Sequence, residues 1–388
     1  MNILFYRYNS ICEPAIIAVM KSFGINVIEE TAEMNNKQIT PAQCVELVSK
    51  NIQIHHPVFV FSINFYPAIA EVCHLFRTLY LCWTVDSPVP ELFSVSLEYD
   101  TNRIFLFDRA QYEYFHRFNP GCIHYLPLAS HIDHFNNITS SISAKDFSVF
   151  STDISFVGSL YNEKNPLHSL NLSNHAKGYV DALVEASLKI LGYNPTEEAI
   201  TESLASEIKS ISKEFFSLEK TVTNPDRYIA AHSYVGMQIA ETERIRTLNT
   251  LAQFFKVDLF TRSDTSKLQG VHVHGGVDSL TEMPKIFHLS KINLNMTIKP
   301  IQTGLPLRIF DILGCGGFLM TNYQSELPEY FQIGVDLEAY SSLDELVAKC
   351  AFYLEHENER QKIALNGYRK VCESHTYTHR LKDMLKLV

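Results

Sequence analysis

The residues best placed to do chemistry lie in one stretch. It runs Asn293-Leu294-Asn295-Met296, then Thr303-Gly304-Leu305-Pro306-Leu307-Arg308-Ile309-Phe310-Asp311, and on to Gly314, Gly316 and Gly317. The pattern predicts a strand ending near Met296, a loop carrying Thr303 and Gly304, and a helix opening near Pro306, a residue suited to the first helical turn. Free backbone N–H groups at such a helix start attract an anion, and Arg308 adds a charged fork of the kind that binds a diphosphate. Asp311 is one turn further on, where a carboxylate can accept hydrogen bonds from ribose hydroxyls. The same residues also fit a plainer arrangement, an Arg–Asp surface pair worth at most ~1 kcal/mol with glycines that only turn the chain.

Further candidates sit at other predicted strand ends. Gly158 and Ser159 follow the strand Ile154 to Val157, where a backbone without a side chain lets a phosphate approach; a tight turn alone would also explain the glycine. Gly275, Gly276 and Val277 follow the strand Val271 to His274, where the glycines can simply connect strand to helix. Asp86 comes just after the strand Leu79 to Val85 and before Ser87-Pro88. A carboxylate there can take a proton from an attacking hydroxyl, a contribution of ~10²–10⁴ in rate, or it can cap the following turn through its own backbone. Glu13, in the loop or first turn after strand one, is a second candidate base, and Glu-Pro at a helix start is also an ordinary capping arrangement. Trp83, the single tryptophan, reads as core.

These residues need a scaffold of alternating elements. Asn2 to Arg7 reads as a buried strand, Ser10 to Phe23 as a helix stopped by Gly24, and Ile25 to Glu29 as a second strand. The alternation continues with strands at Pro57 to Ile63, Leu79 to Val85, Ile104 to Asp108 and Cys122 to Leu126, and helices at Pro67 to Phe76 and Arg109 to Phe118. Polar composition from His131 to Asp146 predicts a linker. A second series starts at Ile154, pauses in a mainly helical stretch from Tyr179 to Leu218, and resumes through a helix at Glu243 to Phe254, strands near Val257, Val271, Ile292 and Phe318, and a helical tail from Leu343. Such alternation predicts α/β architecture with parallel sheets covered on both faces. The domains are expected at 1–150 and 151–374, with a helical insertion at about 164–225 in the second and a C-terminal helix at 375–388.

Bulk properties narrow the function classes. A chain of 388 residues, 46% apolar and 20% charged, has the balance of two globular domains rather than a disordered polymer. A formal charge of −10 without a basic run disfavours a nucleic-acid partner. The eight cysteines are scattered singly, with no CxxC pair, as expected of buried thiols in a reducing cytoplasm. No signal peptide and no apolar run long enough to span a bilayer is seen, so a cytoplasmic location and no integral membrane segment are expected. Neither Asp-x-Asp, Gly-x-Ser-x-Gly nor a P-loop occurs, and the pair His55-His56 has no carboxylate at ligand spacing, so no metal site is expected.

An ordered set of short segments carries a resemblance. Ser62-Ile63-Asn64-Phe65, Trp83-Thr84-Val85-Asp86-Ser87-Pro88, Phe107-Asp108-Arg109, Tyr125-Leu126-Pro127-Leu128-Ala129, Phe156-Val157-Gly158-Ser159-Leu160-Tyr161, the Arg308 to Gly317 helix, Ser341 to Leu346 and His375-Thr376-Tyr377-Thr378-His379-Arg380 together resemble the CgeB-like glycosyltransferases. The resemblance implies a GT-B fold: two facing Rossmann-like domains, an acceptor mainly on the first, a nucleotide sugar mainly on the second, and chemistry in the cleft. It implies a hexosyltransferase-type enzyme using a nucleoside diphosphate sugar, expected to be UDP-linked, as substrate rather than cofactor, and a protein or glycan acceptor. Retaining GT-B enzymes often carry Glu-x7-Glu in the region of Thr303 to Asp311. Here Asp311 stands for the second carboxylate and Thr303 replaces the first. The donor residues implied are Gly158, Ser159, Gly275, Gly276, Val277, Thr303, Gly304, Leu305, Arg308 and Asp311. Arg308 would neutralise the departing diphosphate, and Asp86 or Glu13 would serve as base. Two other readings are a non-catalytic, nucleotide-sugar-binding assembly factor of a coat or surface layer, and a sugar-nucleotide epimerase or hydrolase on the same architecture.

Overall fold

A computed structural model describes residues 1–388. The chain forms two compact units. One holds Met1–Leu128, Phe216–Pro225 and Tyr377–Val388; the other holds Ala129–Phe215 and Asp226–Thr376.

The first unit is a six-stranded sheet of β1 (Asn2–Tyr6), β2 (Asn26–Glu30), β3 (Phe59–Ile63), β4 (Leu79–Trp83), β5 (Asn102–Leu106) and β6 (Ile123–Tyr125). Its spatial order is β2-β1-β3-β4-β5-β6, and every pairing is parallel. All five residues of β3 are buried, as a strand covered on both faces requires. Trp83 is fully buried and donates its indole N–H to the Leu126 carbonyl at 3.3 Å, so it belongs to the core. Two α-helices here have no counterpart in the sequence pattern, the single-turn Ala32–Asn35 and the longer Pro41–His55. The buried face of the longer one is only Cys44, Val48 and Ile52, a stripe too narrow to stand out by periodicity. Its start was nonetheless legible, because Thr40 and Gln43 form a capping box.

The second unit is also a parallel six-stranded sheet, of β7 (Ile154–Val157), β8 (Val257–Phe260), β9 (His272–His274), β10 (Ile292–Asn295), β11 (Leu319–Asn322) and β12 (Glu338–Tyr340). The order is β12-β11-β10-β7-β8-β9. The strand β12 is absent from the sequence reading: three residues between a glycine-bearing turn and a helix give no period to recognise. Helices Asn174–Ser187, Thr196–Ala199 and Glu202–Ile211 make up the insertion. It ends at Phe215, after which Phe216–Pro225 belongs to the first unit.

The segment read as a polar linker is largely helical, Ile132–Thr139 and Ala144–Phe150. It packs within the second unit against the helix Met283–Leu289, through the Lys285–Asp146 ion pair at 2.8 Å. Of the polar pairs that suggest a loop, Asn136-Asn137 lies inside Ile132–Thr139 and Ser140 is that helix's C-cap, while Ser143 and Asp146 form the capping box of the next helix. The last helix, Tyr377–Leu385, packs on Glu13–Ser22 in the first unit, and Arg380 donates to the Pro127 carbonyl at 2.8 Å.

The helix Leu307–Gly314 is seated from behind by Glu357–Ser374. Gly367 makes that closeness possible, since a Cβ there would sit 2.7 Å from Leu313 Cδ2 and overlap the Asp336 carbonyl. No helix is long and apolar enough to cross a membrane.

Candidate functional site

In an open parallel sheet, connections leave in opposite directions at the point where strand order reverses, opening a crevice at the carboxyl ends of the two strands. In the second sheet that point lies between β7 and β10. The turn after β7 is built by short polar side chains. Gly158 extends the ladder by donating to the Phe260 carbonyl at 3.0 Å. Ser159 Oγ accepts from the Tyr161 N–H at 2.7 Å and donates to Glu163 at 2.5 Å, while Leu160 N–H donates to Ser263 Oγ at 2.8 Å. Tyr161 takes a left-handed φ of 69°, which aims the chain back toward the helix Gly236–Leu251.

From that helix Arg244 spans the switch point. Its Nη1 donates to the Ser159 carbonyl at 2.5 Å and its Nη2 to the Met296 carbonyl at 2.8 Å, so one guanidinium ties together the loops following β7 and β10. It also lies 4.5 Å from the Tyr161 ring centroid and 5.2 Å from that of Phe156. A Cβ at Gly158 would make only ordinary contacts, 3.4 Å from the Phe156 ring and 3.8 Å from Arg244 Nη1, so space alone does not require the glycine. The sequence reading assigned Arg244 no role, because an arginine inside an amphipathic helix has no spacing that marks it.

Arg308 stands in the first turn of Leu307–Gly314, with Pro306 as N-cap in an extended conformation. Its guanidinium lies 5.2 Å from the Phe287 ring centroid and contacts the Met283 sulfur. Burial draws Arg308 below its ordinary value; Asp311 opposes that shift and the positive charge of Arg244 adds to it. Arg244 is likewise lowered by burial, with Tyr161 and Glu243 opposing. Two guanidiniums that feel each other in a desolvated region are favoured by an anion carrying more than one charge.

Asp311 is 6% exposed. Burial pushes its carboxyl up to about 7, with Arg308 pulling the other way. The raised value fixes the sign of a pH effect. Between the unfolded carboxyl value of about 3.9 and about 7, the folded chain holds more protons than the unfolded one, so this group makes stability fall as pH rises across that window. Asp311→Asn is expected to remove that part of the slope. Urea unfolding at pH 5 and pH 8 checks it: the variant should lose less stability than wild type between the two, and an equal loss would refute the assignment.

The loop between β10 and this helix is pinned on both sides. Thr297 N–H donates to Asn322 Oδ1 at 2.8 Å, and Gln324 Nε2 donates to the Ile301 and Gly304 carbonyls at 3.1 and 3.3 Å. Leu305 is buried. Thr303 Oγ1 donates to Glu326 Oε1 at 2.6 Å, and Glu326 is 2% exposed. A carboxylate therefore stands beside Thr303, supplied from 23 residues downstream, a distance no local motif reveals. Gly275, Gly276 and Val277 follow β9, two strands from β7. A side chain at Gly276 would overlap Arg262, so the glycine serves close packing of the turns after β8 and β9.

In the first unit the two candidate bases differ sharply. Asp86 is exposed. It accepts from Asn64 Nδ2 at 2.7 Å, and Asn64, at a left-handed φ of 59°, also accepts from Val85 N–H at 3.0 Å and donates to the Tyr8 hydroxyl at 3.2 Å. Glu13 is fully buried. It accepts from Arg7 Nε at 3.0 Å, Tyr8 N–H at 2.9 Å and Asn9 N–H at 3.2 Å. Glu13 thus orders the loop after β1, while Asp86 faces solvent at a strand's carboxyl end.

A family model described as glycosyl transferase-like matches residues 244–386, which begin at Arg244 and include Arg308 and Asp311. Spore protein CgeB of Bacillus subtilis (strain 168) is 28% identical over 109 residues, 28% of this chain; the match spans 32% of that relative's length. Among solved structures, Anabaena Alr3699/HepE in complex with UDP and glucose aligns over 100% of both chains at a TM-score of 0.56 and 11% identity. Sucrose-phosphate synthase from Thermosynechococcus elongatus aligns over 100% of this chain and 98% of its own at a TM-score of 0.59 and 10% identity. Residues 244–386 are thus similar to glycosyl transferase-like sequences, and the two parallel six-stranded sheets are those of the GT-B fold.

Proposed function

We propose that the chain is a hexosyltransferase that moves a sugar from a UDP-linked donor to a hydroxyl of a protein or glycan, without a metal or other cofactor. The observation that carries this reading is the position of Arg244. It holds both loops of the β7/β10 switch point, and its charge acts against that of Arg308. A diphosphate relieves that repulsion, and as the leaving group of glycosyl transfer it gains charge in the transition state, where fixed cations act most strongly. Gly158, Ser159, Thr303, Gly304 and Leu305 would shape the donor pocket and Asp311 would hold the ribose. Gly275 to Val277 would contact the base. Asp86, exposed and oriented by Asn64, would accept the acceptor's proton.

The complex of Anabaena HepE with UDP and glucose supports UDP as the first donor nucleotide to try. Thermal unfolding with a panel of nucleotides tests the donor: one present at ~100-fold its Kd stabilises by ~2.7 kcal/mol. UDP or a UDP-sugar is expected to shift Tm while AMP and free glucose do not, and no shift with any nucleoside diphosphate would refute the reading. Acceptor-dependent release of UDP then separates transfer from hydrolysis or epimerisation.

A further inference from the structure

We infer that the first unit carries a separate binding cavity for a saccharide that bears no phosphate, sulfate or carboxylate group. The cavity has a volume of ≈ 640 Å³, within the roughly 300–1,000 Å³ of small-molecule sites. It lies where the first sheet reverses its order between β1 and β3, with Tyr6 from the end of β1 and Tyr66 from the turn after β3 in its wall. That is the place in an open parallel sheet where ligands collect. Its rim includes Phe216–Lys220, a segment held to the first unit by Val95 N–H donating to the Lys220 carbonyl at 3.4 Å and Val222 N–H donating to the Phe93 carbonyl at 2.8 Å.

The chemistry of the wall selects the ligand. Tyr6 and Tyr66 meet edge to face at 5.2 Å, and their hydroxyls donate to the two oxygens of Glu33 at 2.8 and 3.1 Å. A carboxylate has about four lone-pair positions, so Glu33 retains capacity for a ligand's hydroxyls, and each phenol oxygen can still accept. Aromatic edges and faces beside a fixed acceptor suit a ring that is apolar on its C–H face and hydroxylated at its rim. Glu71, Glu91 and Glu219 join Glu33 around the cavity against the single ammonium of Lys220, an electrostatic balance that repels anions. Burial raises Glu91 above its ordinary value; its own backbone N–H opposes that shift and the charge of Asp86 adds to it. Calling the bound sugar the acceptor rests on the glycosyl-transfer reading; its binding in this cavity does not.

Saturation-transfer NMR on the full chain tests the inference, with methyl glucoside, cellobiose and chitobiose as probes and glucose 6-phosphate as the anionic comparison. At least one neutral probe should bind saturably and more tightly than the phosphate. Ala68→Phe, which fills the cavity from the first turn of Pro67–Phe76, should weaken it by about tenfold or more through direct obstruction. Glu33→Gln, nearly isosteric, provides a second variant should the first fail to fold. Absence of binding by every neutral probe, preference for the phosphate, or undiminished binding in the folded variants would overturn the inference. UDP binding is read in the same samples and should be the same in Ala68→Phe as in wild type. A wild-type chain that binds the sugar but not UDP would uphold the cavity and reject glycosyl transfer.

Discussion

Replacement of Arg308 by alanine is expected to lower kcat/KM for the UDP-sugar by about 10²–10³-fold, the usual consequence of removing one preorganised group from a developing negative charge. The size of the effect follows from the setting. Arg308 works in a half-buried first turn, where its attraction for a diphosphate is screened less than on an open surface, and the helix start adds its own N–H groups. The loss should fall mainly on kcat if the cation acts on the leaving group, because an interaction equal in ground and transition states would appear in KM alone. Arg308→Lys should recover only part of the activity, since an ammonium restores charge but not the planar fork. Steady-state kinetics with both variants decides the matter. Activity of Arg308→Ala within about twofold of wild type, on a scale where 1.4 kcal/mol is tenfold, would remove Arg308 from the mechanism.

Asp86→Asn is expected to leave UDP binding unchanged and to reduce kcat by about 10²–10⁴-fold. The variant keeps the size of the side chain and its oxygen can still accept from Asn64, which holds Asp86 at 2.7 Å; only the capacity to take a proton is lost. The prediction applies to direct displacement, in which the acceptor hydroxyl must be deprotonated as it attacks, and the product should then have the opposite anomeric configuration to the donor. NMR of the product reads the configuration, and rapid-quench kinetics reads the rate. Unchanged turnover with normal donor binding would show that Asp86 only caps the turn before Ser87.

Glu13 shows why chemical type and position along the chain could not by themselves choose the base. Both carboxylates follow strands and both precede proline-containing turns. Only the folded chain shows that Glu13 is closed in by Arg7 and by the Tyr8 and Asn9 backbone, while Asp86 remains exposed. The donor residues divide in the same way. Arg308 and Asp311 were legible because proline, arginine and aspartate fall at helical spacing behind a strand. Glu326 and Arg244 were not, since what marks them is a partner 23 residues away for one and carbonyls 85 and 52 residues away for the other.

Unaided, the amino-acid order determined the alternation of buried strands and amphipathic helices, and hence two parallel sheets, because the period of burial is a local property that each segment carries wherever it docks. Even its errors were local: a narrow buried stripe hid the helix Pro41–His55, and capping residues disguised Ile132–Thr139 and Ala144–Phe150 as a linker. Tertiary structure alone decided that β7 lies beside β10, that β1 lies beside β3, and that Phe216–Pro225 and Tyr377–Val388 belong with the first sheet. The physical reason is that neighbours in a parallel sheet are chosen by crossover handedness and by how whole layers bury their apolar faces. Those are sums over many distant residues, and the two crevices at the points of reversal exist only once the sums are made.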